Sequence, residues 1–249
     1  MNPIKLTGAF LLTLVLFITS CNPDDPEPMP PPEYPMQITV DHLFNGNPLL
    51  LNGDYDTTVN GDSFQLTKLI YHINNFTFYK NGSPIFEDDG YFMVDLENPE
   101  SLTFELGLMD GRADSMSFYL GIADSTTNAE GLLNAMFTDP MYWGMINGYI
   151  NFKLEGNSAV VDNGAVVLHV GGYTGNTKNF QKIGLDLSAS EPASELGGNN
   201  VNLQMELANY FTGPNLIDLS VTNLVHSPTG DAVLIAENWA DLFSFTGSN

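Results

Sequence analysis

Short runs of alternating apolar and polar residues constrain the fold of this chain more than any other feature. In GYINFKLEG (148–156), Ile150, Phe152 and Leu154 alternate with polar residues. Side chains on a strand point alternately to its two faces, so this pattern is typical of a half-buried strand. Similar short runs, separated by Gly, Asp and Asn, recur along most of the chain. Many short strands with frequent turn signals predict an all-β fold, an antiparallel β-sandwich.

Two segments have a helical pattern instead, residues 128–137 and 231–245. In the second, the residues spaced to form one apolar face are Val233, Leu234, Ala236, Trp239 and Leu242. We therefore predict short helical segments beside the strands, including one near the C-terminus.

Residues 1–20 have the pattern of a lipoprotein signal peptide. Lys5 precedes an apolar run that is too short to span a bilayer, and small residues lead to Cys21. Cys21 is the single cysteine of the chain and stands where a lipobox requires it, so we predict that it is lipidated, for example with palmitate. An ordinary secretory signal followed by a free cysteine is the alternative. A single cysteine also excludes an intrachain disulfide.

Residues 21–36 are rich in proline and acidic side chains, which predicts an extended tether. The folded domain is expected over residues 37–249, a length that suits one β-sandwich. Acidic residues directly after Cys21 resemble the export signals of surface lipoproteins. We therefore expect an outer-membrane lipoprotein that faces either the periplasm or the cell surface.

The charge balance narrows the classes of partner. The chain has 7 Lys and Arg against 30 Asp and Glu, a formal net charge of −23. Such a surface repels nucleic-acid phosphates, so nucleic-acid binding is excluded, whereas cations and neutral ligands remain. The sequence contains no GxSxG, P-loop or HExxH motif. We predict a binding protein and not an enzyme.

Four histidines are candidates for metal ligation: His42, His72, His169 and His226. His169 precedes a double glycine, where backbone can approach closely, and is favoured as a functional residue. His42 falls on the apolar face of MQITVDHLF, and core and ligand roles are evenly balanced there. For His72 a filler in a strand is favoured, and for His226 a capped loop histidine. Neutral imidazole binds both copper and zinc.

Two further groups of residues have an ordinary structural explanation. The acid-rich loops 52–62, 86–90 and 109–115 supply oxygen ligands of the kind calcium prefers, but none matches the EF-hand pattern. Solvated turns are favoured there, with structural calcium left open. The aromatic residues Tyr142, Trp143 and Tyr149 are typical of core packing in an all-β domain.

Several segments resemble a known family. DPMYWGMINGYINFKLEG (139–156) and VVLHVGGYTG (166–175) carry the resemblance, with flanking support from 42–79, 120–131 and 226–243. Together they resemble the MbnP-like family, periplasmic or surface copper-binding proteins related to the methanobactin-associated protein of methanotrophs. The resemblance covers nearly all of the folded part.

This resemblance implies an antiparallel β-sandwich that binds copper. It also implies that a tryptophan is oxidised to kynurenine by a partner enzyme, a diheme peroxidase-like protein, and that the new amine joins histidines around the metal. His169, in HVGGY, is the first ligand carried over by the resemblance. His42 is the second, and Trp143 is the retained tryptophan.

The sequence departs from the family pattern at one informative position. The pattern reads MYWTWxSGYINFK, but here the second tryptophan is replaced by Met145, and Asn147 stands in place of the serine. Met145 offers a thioether, a donor that soft Cu(I) accepts. The alternative is that the site has been lost and the fold serves another purpose.

Two functions from different classes follow. The first is a lipid-anchored protein that sequesters or delivers copper through His169 and His42, with Trp143 or Met145 nearby. The second is a surface module that recognises a glycan or a protein through exposed aromatic residues, with calcium as a structural ion.

Overall fold

Strands dominate the computed structural model, which describes residues 34–109, 112–124, 127, 141–144, 148–188 and 199–248. The strands are β1 (Tyr34–Phe44), β2 (Asn47–Pro48), β3 (Asp56–Thr57), β4 (Ser63–Lys80), β5 (Ser83–Asp95), β6 (Thr103–Met109), β7 (Ser115–Leu120), β8 (Ile150–Asn157), β9 (Ala165–Gly171), β10 (Gln181–Asp186), β11 (Asn199–Glu206), β12 (Leu224–Val225) and β13 (Phe243–Ser248). The α-helix α1 is Asp231–Glu237, and 3-10 helices span Pro99–Leu102, Leu207–Phe211 and Asn238–Asp241. No helix in these ranges is long and apolar enough to cross a membrane.

The strands form two sheets that enclose one core. In the first sheet the order is β13-β11-β1-β2, and β6 also pairs with β1. In the second the order is β10-β7-β4-β8-β9-β12, and β3 and β5 also pair with β4. The predicted all-β sandwich with a short helix near the C-terminus is confirmed. The sheets are mixed, however, because β1 with β11 and β9 with β12 are parallel pairs.

Alternation along the strands fixes which side chains enter the core. Phe152 and Leu154 of β8 are fully buried, whereas Lys153 and Glu155 are only half-buried on the other face. Phe152 lies 5.5 Å from Tyr71 and 5.4 Å from Trp239, measured between ring centroids. The two sheets meet where Phe243 of β13 contacts Tyr71, at 6.1 Å.

The predicted helical segment 231–245 ends earlier than its apolar spacing suggested. After α1 and a 3-10 turn, Phe243 begins a strand that pairs with β11. The buried face of α1 consists of Ala232, Ile235 and Ala236, and Leu234 is 43% exposed, so the predicted apolar face was wrong in part. Helical spacing in the sequence did not show where the helix ends, because the residues from Phe243 onward pair with β11 as a strand. The other predicted helix, 128–137, lies outside the described residues.

The long strand β4 changes its neighbour halfway. On one edge it pairs with β8 over residues 65–71 and then with β7 over 73–79, while β5 follows the opposite edge. The change falls at His72, whose carbonyl accepts a hydrogen bond from the Gly121 amide. At this fork the ends of β7 and β8 separate, and the buried side chains of Asn74 and Asn151 hydrogen-bond the backbone of Gly121 and Ile122 there.

Candidate metal site

His169 lies on the outer face of the second sheet, near the end of β9. Its neighbours Leu168 and Val170 point into the core, so alternation turns the imidazole outward. Nε2 of His169 lies 2.8 Å from Oε1 of Glu155 on the adjacent strand β8. A carboxylate can only accept hydrogen bonds, so Nε2–H is the donor and the lone pair of this imidazole is on Nδ1.

His226 lies beside His169. Their ring centroids are 5.4 Å apart and their planes make an angle of 76°. The short parallel pair β9–β12 explains this placement, because Val225 is opposite Leu168 and the residue that follows each of them is a histidine. His226 is exposed to solvent. The structure thus brings together two imidazoles that are 57 positions apart in sequence; we call them the imidazole pair.

The surroundings of His169 favour its neutral form. Burial lowers its pKa from the ordinary value, the hydrogen bond to Glu155 opposes this shift, and the charge of Lys153 adds to it. Burial is the largest of these effects, since removing solvent disfavours the imidazolium. A neutral imidazole at pH 7 has a lone pair available for a metal ion.

Trp143 packs on the same strand at Gly171, which is two residues beyond His169. A Cβ added at Gly171 would be 3.0 Å from Cζ3 of Trp143 and would collide with the carbonyl oxygen of Tyr149. Only glycine therefore allows the half-buried indole to rest on β9 here. Gly171 and His169 have the same parity on the strand, so the indole is on the same outer face as the imidazole pair.

The second glycine of the motif accommodates the loop that carries His226. Gly172 has φ +114°, and an added Cβ would be 2.6 Å from Cβ of Pro228. Loop 226–230 can therefore pack directly against the end of β9. The double glycine after His169 lets Trp143 approach from one side and the His226 loop from the other.

The segment around Trp143 is closed by backbone hydrogen bonds. The Trp143 amide donates to the Gly148 carbonyl at 2.9 Å, and the Gly148 amide donates to Gly144 at 2.8 Å. Residues 145–147, which include the predicted thioether ligand Met145, lie outside the described residues.

His42, the second predicted ligand, is in a different place. As its parity indicated, it faces the core, is 8% exposed, and has Nε2 3.0 Å from the hydroxyl of Tyr71. Burial lowers its pKa to about 4. His42 lies between the sheets and His169 on the outer face of the second sheet, so the structure does not bring them together.

His72 is also buried. Its Nδ1 is 3.1 Å from the carbonyl oxygen of Ile150, and its ring meets Tyr149 edge-on at 5.4 Å. Both contacts of His72 are packing contacts inside the protein, at the point where β4 changes its neighbour from β8 to β7.

The acid-rich loops predicted as calcium candidates use their carboxylates for other contacts. Asp62 accepts from the Leu219 amide, Asp88 from Gly90, and Asp114 from Asn81. Across the residues that the structure describes, no group of three or more His, Cys, Asp or Glu side chains has an arrangement that could hold a metal ion. Calcium therefore receives no support, and the imidazole pair supplies two of the ligands that a metal would need.

For His226 the sequence favoured a capped loop histidine over a ligand, and it did not indicate that Glu155 belongs to this site. Alternation did place Glu155 on the polar face of β8, but nothing in the sequence showed which strand would lie beside it. His226 reaches His169 through a parallel pairing between segments far apart in the chain. Such pairings leave no local sequence pattern.

The fold and the imidazole pair define a β-sandwich with a candidate metal site on one outer face. The family model for MbnP matches residues 33–227, and the chain belongs to the MbnP family. The predicted family resemblance is thereby confirmed. The solved structure of MbnP from Methylosinus trichosporium is similar, with a TM-score of 0.52 and 11% identity over 75% of this chain and 80% of that chain. This likeness concerns the fold. No curated protein matches the sequence.

Proposed function

We propose that this protein binds copper at the cell envelope through His169 and His226, to sequester or deliver the metal, and that it is a binding protein and not an enzyme. The observation that carries the proposal is the placement of two imidazoles from different strands within 5.4 Å of each other. Membership of a family associated with copper supports the choice of metal.

The donor set is chemically suited to copper. Imidazole nitrogen binds copper well, and Nδ1 of His169 has its lone pair available while Nε2–H is held by Glu155. Metal-bound histidines generally donate their other N–H to a carboxylate or carbonyl, which orients the ring and raises its basicity. Glu155 is in the right place for that role. The negative surface, with 30 acidic residues, also attracts cations.

Trp143 and Met145 are proposed as neighbours of the metal. The indole rests on Gly171, on the outer face that carries His169. Met145 is two residues after Trp143 in the sequence and stays a predicted thioether donor. His42 is not included in the site because it faces the interior and hydrogen-bonds Tyr71. If Trp143 is modified as the family resemblance implies, a diheme peroxidase-like enzyme is the proposed partner.

The proposed location follows from the leader sequence. A lipid on Cys21 and the tether 21–36 would hold the domain at the outer membrane, facing the periplasm or the cell surface. Growth of the host with labelled palmitate tests this proposal. Label is expected in the wild-type protein and not in Cys21→Ser, and equal labelling of both would contradict the anchor.

Copper titration of the purified protein tests the binding site, with a chromophoric chelator as competitor. Both His169→Ala and His226→Ala are expected to bind copper at least about tenfold more weakly than wild type, since each removes one nitrogen donor. His42→Gln is the control, because it alters a buried histidine outside the proposed site. Loss of copper in His42→Gln alone would contradict the proposal.

A further inference from the structure

We infer that Asn179 is a positioning residue for copper binding: it holds the backbone of the His226 loop against β9 and so keeps the imidazole pair together. This inference rests on the proposed copper site for its functional consequence. The positioning itself is a property of the metal-free protein.

The side-chain amide of Asn179 joins the two chain segments that carry the histidines. Its Nδ2 donates to the carbonyl oxygen of Gly171 at 2.7 Å and to that of Pro228 at 2.8 Å. Gly171 is two residues after His169, and Pro228 is two residues after His226. Both amide hydrogens are used, one on β9 and one on the His226 loop, and each accepting carbonyl is two residues after a histidine.

Asn179 is itself fixed in position. It is 1% exposed, and its backbone amide donates to the Gly172 carbonyl at 3.1 Å. Its backbone carbonyl accepts from Nδ2 of Asn151 at 2.6 Å. Asn151 is fully buried in the gap between β7 and β8, where its Oδ1 accepts from the Ile122 amide at 2.9 Å. Asn151, which is itself fixed at the fork in the second sheet, therefore holds the backbone of Asn179 in place.

The His226 loop lies between two elements that contact β9, the strand β12 before it and the helix α1 after it. Upstream, the two-residue strand β12 sets the register against β9. Downstream, Pro228 packs on Gly172, which has no side chain to hold it. His226 is exposed, so its own packing constrains it little. Inside the loop itself, Asn179 links Pro228 to β9 through one hydrogen bond to the Pro228 carbonyl and one to the Gly171 carbonyl.

Asn238 provides a matched control. It is also fully buried, and its Nδ2 likewise donates to two backbone carbonyls, those of Tyr210 at 2.9 Å and Asn215 at 2.7 Å. It joins neither β9 nor the His226 loop. Asn179→Ala and Asn238→Ala therefore each remove two donations to backbone carbonyls, and Asn238→Ala also removes the acceptor of the Asn215 amide, at 2.8 Å. Only Asn179→Ala releases the imidazole pair.

The test compares the purified wild-type protein, Asn179→Ala and Asn238→Ala by two measurements. The first is NMR of the metal-free protein, which detects cross-peaks between the ring protons of His169 and His226. The second is titration with copper alone. In Asn179→Ala the cross-peaks are expected to disappear and copper affinity to fall about 10- to 100-fold, as for other residues that orient metal ligands. Asn238→Ala should lower the melting temperature and change neither readout.

Retention of the cross-peaks and of copper affinity in Asn179→Ala would overturn the inference, as would an equal loss in both variants. If wild type binds no copper, the proposed function fails, but the NMR comparison still decides the positioning. If Asn179→Ala does not fold, Asn179→Ser replaces it. Its short hydroxyl can serve only one carbonyl, and the same weakening of cross-peaks is expected; unchanged cross-peaks in a folded Asn179→Ser would overturn the inference.

Discussion

The Glu155 carboxylate lies 2.8 Å from Nε2 of His169, on the strand next to it, and so sets which ring nitrogen of His169 carries the lone pair. The contact is between a side chain that is 32% exposed and one that is 14% exposed. Its value to folding is therefore small, whereas its effect on the orientation of the ring is direct.

Replacement of this carboxylate tests its role in metal binding. Glu155→Gln keeps the size of the side chain but removes the charge that raises the basicity of the imidazole. We expect copper affinity to fall about tenfold, with little change in melting temperature, in a competition titration. Asp186→Asn is the control, because it removes an exposed carboxylate on β10, a strand that pairs with β7 and not with β8 or β9. Equal effects of the two variants would argue against an orienting role for Glu155.

The pH dependence of stability is predicted from His42. Its pKa is about 4 in the folded protein, against 6.5 ordinarily, because burial disfavours the charged ring. The unfolded chain therefore binds more protons between pH 6.5 and 4, and stability is lost as pH falls through that window. Between pH 7 and 5 the free energy of unfolding should fall by about 2 kcal/mol from this residue.

Urea unfolding of the wild type and His42→Gln at pH 7 and pH 5 measures this contribution. His169 also has a lowered pKa and adds to the trend in both proteins, so the difference between the two isolates His42. Identical pH dependence in both proteins would show that His42 does not titrate as its burial indicates.

The contact between Gly171 and Trp143 gives a prediction for packing. In Gly171→Ala the new methyl group meets the indole at 3.0 Å and collides with the Tyr149 carbonyl, so β9 or the Trp143 segment must shift. We expect a loss of about 1–3 kcal/mol in the free energy of unfolding and a change in tryptophan fluorescence. Gly184→Ala is the control, since it also lies in a strand and an added Cβ there has no atom within 4 Å. A Gly171→Ala protein as stable as Gly184→Ala would contradict the close approach.

Much of the fold could be read from the sequence because its signals are local. Alternation in β8 placed Phe152 and Leu154 in the core, and the parity of β1 placed His42 among buried residues. The length of the C-terminal helix was less predictable, because pairing of β13 with β11 competes with helical spacing. That competition depends on a strand about forty residues away.

The candidate site was predicted only in part, for a similar reason. His169 and the double glycine stand together in the sequence, and the structure explains both glycines by the groups that approach them. His226 and Glu155 join His169 through pairings between separate strands. Asn179 acts through hydrogen bonds to backbone carbonyls, and such bonds cannot be predicted from the types of side chain along the sequence.

Diffraction from crystals of the copper-loaded protein, measured at the copper absorption edge, tests the central proposal most directly. The proposal predicts an anomalous peak within bonding distance of nitrogen atoms of both His169 and His226. A copper peak at His42, or a peak that neither His169 nor His226 contacts, would contradict it.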